Sequence, residues 1–264
     1  MGILASDTSA AAERVQLEIL RAMPPVRKAA ILSATIRAGL GLKDLRKGAE
    51  VIDPFDVTAE VVSVLDGLGV DYFVGGSIAS ALHGEPRYTQ DADLVVRLEV
   101  PHLEPLVAAL QEHFYVSDTA LKEAIRRRTS ANLVHFESAF KVDLMISKER
   151  PFEKSRFRRR LLMPAGAHQF WVASAEDMVL VKLEWFRLGG EVSEKQWRDV
   201  LALLLTSAQD RAYLSEWSEQ LGVSDLLQRA WTHINTSTTQ VMSAQARSQR
   251  LISMPQESDS RAGR

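Results

Sequence analysis

The sequence predicts an α/β (α+β) protein: a small mixed-sheet core, a helical N-terminal prefix before it and a C-terminal helical bundle after it. Three observations carry this. The short apolar runs "DYFVGG", "DADLVVRL", "NLVHFES" and "FKVDLMIS" read as strands, each bounded by polar or glycine punctuation. Apolar residues recur at helical spacing over 10–48 and again from Ser174 onward. Between 71 and 113 strand-like and helix-like stretches alternate, the pattern that puts helices over a sheet.

In the prefix, Leu17, Ile19, Leu20, Met23, Ile31, Leu32, Ile36, Leu40 and Leu42 mark a helical face broken at Pro24-Pro25. A link through Gly48 and the turn signal Asp53-Pro54 leads to the helix "DVTAEVVSVLDGLGV". Asp56 is its expected cap, and Gly67 and Gly69 end it. The strand "DYFVGG" is followed by the helix "SIASALHG", the strand "DADLVVRL" and a helix over 101–113. In "FKVDLMIS", Phe140, Val142, Leu144 and Ile146 form the apolar face, while Lys141, Asp143 and Met145 occupy the other. "RRLLMP" and "HQFWVAS" add edge strands. The helices "SAEDMVLVKLEWFRL" and "SEKQWRDVLALLL" follow, then two more to about 235. The expected units are thus 1–50 (prefix), 51–173 (α/β core), 174–235 (C-terminal helical region) and 236–264, whose Ser, Gln, Thr and Arg content reads as a disordered tail.

The totals exclude several classes of function. The chain has 264 residues, 46% hydrophobic and 25% charged, long enough for a sizeable core. Cysteine is absent, which removes disulfides and thiolate metal sites. The N-terminus lacks a signal-peptide pattern, and no run approaches the ~20 apolar residues of a membrane helix. The expectation is a cytoplasmic protein with no membrane partner. A net charge of −2 provides no global attraction for polyanions. Arg126-Arg127-Arg128 and "KSRFRRR" are local basic clusters, which read either as a polyanion patch or as solvated helix or loop.

The stretch "FVGGSIASALHGEPRYTQDADLVV" carries the chemistry. A strand that breaks on Gly75-Gly76 and opens a helix at Ser77 aims free backbone N–H groups at a helix start, which suits a phosphate. Asp91 and Asp93 lie two apart on a strand, so their carboxylates share a side and repel unless a cation lies between them. Mg²⁺ is the hard cation suited to such oxygen ligands. Asp143 sits between Val142 and Leu144 in a strand expected to be buried, where an unpaired charge is costly. A plain turn and a solvated strand end explain the glycines and the paired aspartates separately. A phosphate cradle facing three carboxylates explains them together, as a two-metal transfer centre.

Gly75-Gly76-Ser77, followed by Arg87, Thr89 and Asp91-Ala-Asp93, resembles the signature of the nucleotidyltransferase superfamily, the polymerase-beta-like fold. More narrowly, "GGSIASALHGEPRYTQDADL" looks like the AbiEii-type nucleotidyltransferases, the toxin halves of certain toxin–antitoxin and phage-defence systems. The later run containing Glu176, Asp177, Lys182, Arg198 and Asp199 is similar to that family as well, so the resemblance spans roughly 55–205.

It implies transfer of a nucleoside monophosphate from an NTP to an acceptor hydroxyl, with pyrophosphate released. Mg²⁺, or Mn²⁺, would be held by Asp91, Asp93 and Asp143. Gly75, Gly76, Ser77 and Arg87 would bind the nucleotide, with Lys182 neutralising phosphate charge; a lysine snorkelling from an apolar helix is its plainer reading. The implied partners are an NTP, a tRNA or other RNA acceptor, and a cognate antitoxin. The alternatives are an antibiotic nucleotidyltransferase with an aminoglycoside-like acceptor, and a noncatalytic relative that binds nucleotide or a partner. His83 and His135 read as packed or hydrogen-bonded, and the five tryptophans as packing.

Overall fold

The computed structural model describes residues 53–83, 89, 91–206 and 209–236, together with Val15 and Ile19. Apart from those two residues, the expected prefix helices, and the expected tail from 237, lie outside the described residues.

Helix α1 (Pro54–Gly67) starts one turn earlier than its apolar pattern suggested. Asp53, not Asp56, is the cap: its Oδ1 accepts the Phe55 N–H at 2.9 Å. Pro54 at the first helical position has no N–H to leave unsatisfied, so the Asp-Pro pair starts the helix instead of merely turning the chain. Asp56 falls in the first turn, where its Oδ1 lies 2.8 Å from His168 Nε2. Val57, Val61, Val62 and Leu65 form the buried face of α1, which packs over the sheet and a neighbouring helix.

The sheet that follows is mixed and seven-stranded among the described residues, in the order β3-β4-β5-β2-β1-β7-β6. Its strands are β1 (Tyr72–Val74), β2 (Asp91–Val96), β3 (Phe114–Tyr115), β4 (Ser130–His135), β5 (Lys141–Ile146), β6 (Leu161–Ala165) and β7 (His168–Val172). This is the mixed α/β class the sequence predicts. At its centre β2 runs antiparallel to β1 and parallel to β5. Helix α2 (Gly76–Leu82) follows β1 directly, and α3 (Leu103–Leu110) follows β2 after a single 3-10 turn.

Two helices have no counterpart in the sequence reading. Helix α4 (Asp118–Arg127) begins at Ser117, whose hydroxyl accepts the Ala120 N–H at 3.3 Å. Helix α5 (Pro151–Arg159) starts on a proline and carries the "KSRFRRR" cluster. Strand β3 is two residues long and carries too little periodicity to read.

Helices α6 (Ala175–Leu188), α7 (Glu194–Thr206) and α8 (Arg211–Gln220) follow, and a helix over 224–236, α9, ends the described residues. They do not form a separate core. One apolar cluster runs from Val57 to Ala230, with Phe73, Phe152 and Phe170 among its fully buried side chains. Trp171, Trp197, Trp217 and Trp231 pack against it as expected. Trp185 does not; it is 57% exposed on the outer face of α6.

Candidate active site

Pairing, more than sequence distance, assembles the site. In the parallel β2–β5 ladder Asp93 lies opposite Asp143 and Asp91 opposite Lys141. In the antiparallel β4–β5 ladder Asn132 lies opposite Asp143. Paired residues share a sheet face, and so do residues two apart on one strand. Asp91, Asp93, Asp143, Lys141 and Asn132 therefore stand on one side of the three central strands. The other side is apolar: Ala92, Leu94, Val142 and Leu144 are fully buried.

The glycine turn is fitted to this row. Gly75 N–H donates to the Asp93 carbonyl at 2.8 Å, closing the end of the β1–β2 ladder. Gly76 then adopts φ +54° and passes directly over the Asp93 side chain. A Cβ on Gly76 would stand 1.5 Å from Asp93 Oδ2. Residue 76 is thus glycine for two reasons: a left-handed backbone, and a carboxylate where a side chain would be. Ser77 follows, half-buried, in the first turn of α2. Just before β2, the Thr89 hydroxyl lies 2.7 Å from Asp91 Oδ1 and orients that carboxylate. Arg87 lies outside the described residues.

The three aspartates differ in surroundings. Asp91 and Asp93 are half-buried and reach solvent. Asp143 is closed in, its side chain 2% exposed and 2.8 Å from Lys141 Nζ through Oδ2. Its Oδ1 accepts a hydrogen bond from Asn132 Nδ2 at 2.7 Å. Among the described residues no three His, Asp or Glu side chains are gathered as a metal cage. The Asp91–Asp93 pair nevertheless fits a hard divalent cation: two half-buried carboxylates on one face, one pressed against a side-chain-free backbone. Lys141 and Asn132 were not predicted as site residues; their position two-apart from, or cross-strand to, Asp143 is the signal that finds them.

Lys182 sits elsewhere, on α6, which packs against α2. Its Nζ donates to Asp199 Oδ2 on α7 at 2.7 Å, and both side chains are buried, 8% and 4% exposed. The helices that carry Lys182 and Asp199 are thus joined by one buried ion pair. Arg198 is exposed next to it.

Glu176 and Asp177 join helices. Glu176 Oε1 accepts the Asp210 N–H at 3.0 Å, and Oε2 pairs with Arg159 at 3.2 Å. Asp177, fully buried, accepts the Tyr213 hydroxyl at 2.7 Å on Oδ1. Burial pushes the Asp177 carboxyl above the ordinary carboxylate range, and the Tyr213 hydroxyl and nearby Arg156 draw it back.

The two basic runs differ: Arg126 and Arg127 are exposed on the surface, whereas Arg156, Arg159 and Arg160 are engaged within the fold. Arg126 and Arg127 both pair with Glu123. Arg156 is buried over the Phe73 and Phe152 rings, and burial holds its guanidinium below its usual range. Arg159 lies over Tyr213, and Arg160 reaches Asp71 at 2.8 Å. The histidines are hydrogen-bonded as expected: His83 Nε2 lies 2.7 Å from the Ala173 carbonyl, and His135 Nδ1 2.9 Å from Ser138 Oγ.

No family model matches the chain, and no curated protein sequence matches it. Several solved structures resemble it at low identity. One is an antigenic nucleotidyltransferase-like protein from Paracoccidioides brasiliensis, 19% identical with a TM-score of 0.46, covering 71% of this chain and 90% of that one. Another is a lincosamide antibiotic adenylyltransferase bound to lincomycin, 14% identical with a TM-score of 0.41, covering 60% of this chain and 100% of that one. A third is the antibiotic-resistance factor ANT(2″)-Ia in solution, 11% identical with a TM-score of 0.42, covering 72% and 100%. Among the described residues, no helix is long and apolar enough to cross a membrane.

Proposed function

We propose that this chain is a metal-dependent nucleotidyltransferase, moving a nucleoside monophosphate from an NTP to an acceptor hydroxyl and releasing pyrophosphate. One observation carries the reading: Gly76, at φ +54°, lies against the Asp93 carboxylate. A glycine turn and a separate polar strand end have no need to touch. Here they are fitted to each other, as a triphosphate cradle and its carboxylates would be.

In this reading Asp91 and Asp93 hold Mg²⁺ or Mn²⁺, with Asp143 beside them in the row. The cation supplies charge neutralisation for the triphosphate and the departing pyrophosphate. Gly75 and Gly76 let the phosphates approach the backbone, and Ser77 and Arg87 contact them. Thr89 fixes the Asp91 carboxylate. Lys182 adds positive charge, and Asp199 fixes its position.

The family resemblance favours an AbiEii-type toxin, with tRNA or another RNA as acceptor and an antitoxin as partner. A second reading, a small-molecule acceptor such as an aminoglycoside, is favoured by the later basic run: Arg156, Arg159 and Arg160 are held in contacts within the fold and offer little to a polyanion.

The test is transfer from each α-labelled NTP in Mg²⁺, with total tRNA and, separately, an aminoglycoside panel. An Asp91→Ala/Asp93→Ala control is run alongside. Label on RNA with the wild type alone supports the toxin reading, and label on the small molecule the second. Binding of Mg²⁺–NTP without transfer to either acceptor would favour the noncatalytic relative.

A further inference from the structure

Lys141 is the charge in the carboxylate row that the proposed reaction does not use. It is 3% exposed, stands beside Asp91 in the β2–β5 register, and lies 2.8 Å from Asp143 Oδ2. Asn132, from the strand on the other side, donates to Asp143 Oδ1. Asp143 thus accepts a hydrogen bond on Oδ1 and faces the Lys141 ammonium in an ion pair on Oδ2, and its side chain is closed to solvent. A buried carboxylate held this way is compensated in place. Asp91 and Asp93 are half-buried on the same face.

We infer that Lys141 is a positioning residue that holds Asp143 out of the metal shell, so that this site takes one divalent cation, on Asp91 and Asp93, and not two. This rests on the reading of β2 as a metal-binding strand. The Lys141 ammonium stands where a second divalent cation would otherwise be needed to offset the third carboxylate. It differs from an exchangeable ion in one respect: it is tethered to β5 and present before any nucleotide arrives. Asn132 fixes the Asp143 plane, so that Oδ2 stays turned to Lys141.

The experiment is titration of the full chain with Mn²⁺ alone, followed by electron paramagnetic resonance of the free ion. The wild type is expected to bind one Mn²⁺ per chain. Asp93→Asn should weaken that binding at least tenfold, whereas Asp143→Asn should change it by less than about threefold. Lys141→Met, which releases the Asp143 carboxylate, should add a second Mn²⁺. A purely structural lysine would not change the metal count.

Lys141→Met leaves a buried carboxylate uncompensated and is the variant most exposed to misfolding, so wild-type stoichiometry is decisive without it. Two Mn²⁺ in the wild type, or equal losses in Asp143→Asn and Asp93→Asn, would overturn the inference while leaving the metal-binding strand intact. No Mn²⁺ binding at all would overturn that strand's proposed role, and the inference with it.

Discussion

Replacing Gly76 by alanine perturbs the site through a single methyl group. The added Cβ meets Asp93 Oδ2 at 1.5 Å, Cγ at 2.5 Å and Cβ at 3.0 Å. For the carboxylate to reach an ordinary van der Waals separation it must retreat by roughly 2 Å. The alanine must also hold φ +54°, which costs ~1–2 kcal/mol for a residue with a Cβ. Moving the carboxylate adds on the order of another 1 kcal/mol, for a total of about 2–3 kcal/mol by urea denaturation. Transfer should fall by at least ~100-fold, since a displacement of about 1 Å at a reacting centre already costs that much.

A double-mutant cycle separates the two parts. In an Asp93→Gly background the obstructing atoms are gone, and Gly76→Ala should retain only the backbone cost of ~1–2 kcal/mol. Equal destabilisation in both backgrounds, or a Gly76→Ala enzyme with wild-type turnover, would refute the contact between the glycine turn and the acidic strand.

Lys182→Met should destabilise by about 3–5 kcal/mol, because it strands a buried Asp199. Lys182→Met/Asp199→Leu should recover most of that stability but no transfer; recovered activity would make the pair purely structural. Tyr213→Phe removes the hydroxyl that Asp177 accepts inside the fold, and chemical denaturation should show a loss of about 1–3 kcal/mol. Asp71 is held below its ordinary carboxylate value, first by the hydrogen bond from Arg160 and then by Arg97. Its stabilisation is present above the unfolded value near ~4 and fades as pH falls through the lower folded value. With the side chain 44% exposed, Asp71→Asn should flatten the acid limb of the stability curve by only a few tenths of a kcal/mol.

Much of the core was legible because its strands are short and their sides chemically distinct. The alternation in "FKVDLMIS" places Val142 and Leu144 in the apolar layer and Lys141 with Asp143 opposite them, as found. What the sequence could not supply is which strands are neighbours. Asp93 and Asp143 meet only because β5 adds to β2 instead of β1, a choice made by packing across fifty intervening residues. The helices α4 and α5 were hidden behind their charge. Arg126 and Arg156 look like surface residues in a pattern, and only the fold shows the first tied to Glu123 and the second enclosed over two phenylalanine rings. Their starts were marked nonetheless, by Ser117 and by Pro151.

The three-residue strand β1 has a consequence for when the protein becomes competent. Val74 pairs with Leu94 on one side and with Val172 on the other, and His83 at the end of α2 reaches the Ala173 carbonyl. During synthesis the acidic strand can find β1 and β5 early, but the second neighbour of β1 and the anchor of α2 arrive about a hundred residues later. Until then the glycine turn has the Asp93 carbonyl on one flank and no fixed support on the other. A ribosome-bound chain stalled short of Ala173 would carry the acidic strand without a finished cradle, so nucleotide handling should switch on only once the start of α6 has left the exit tunnel.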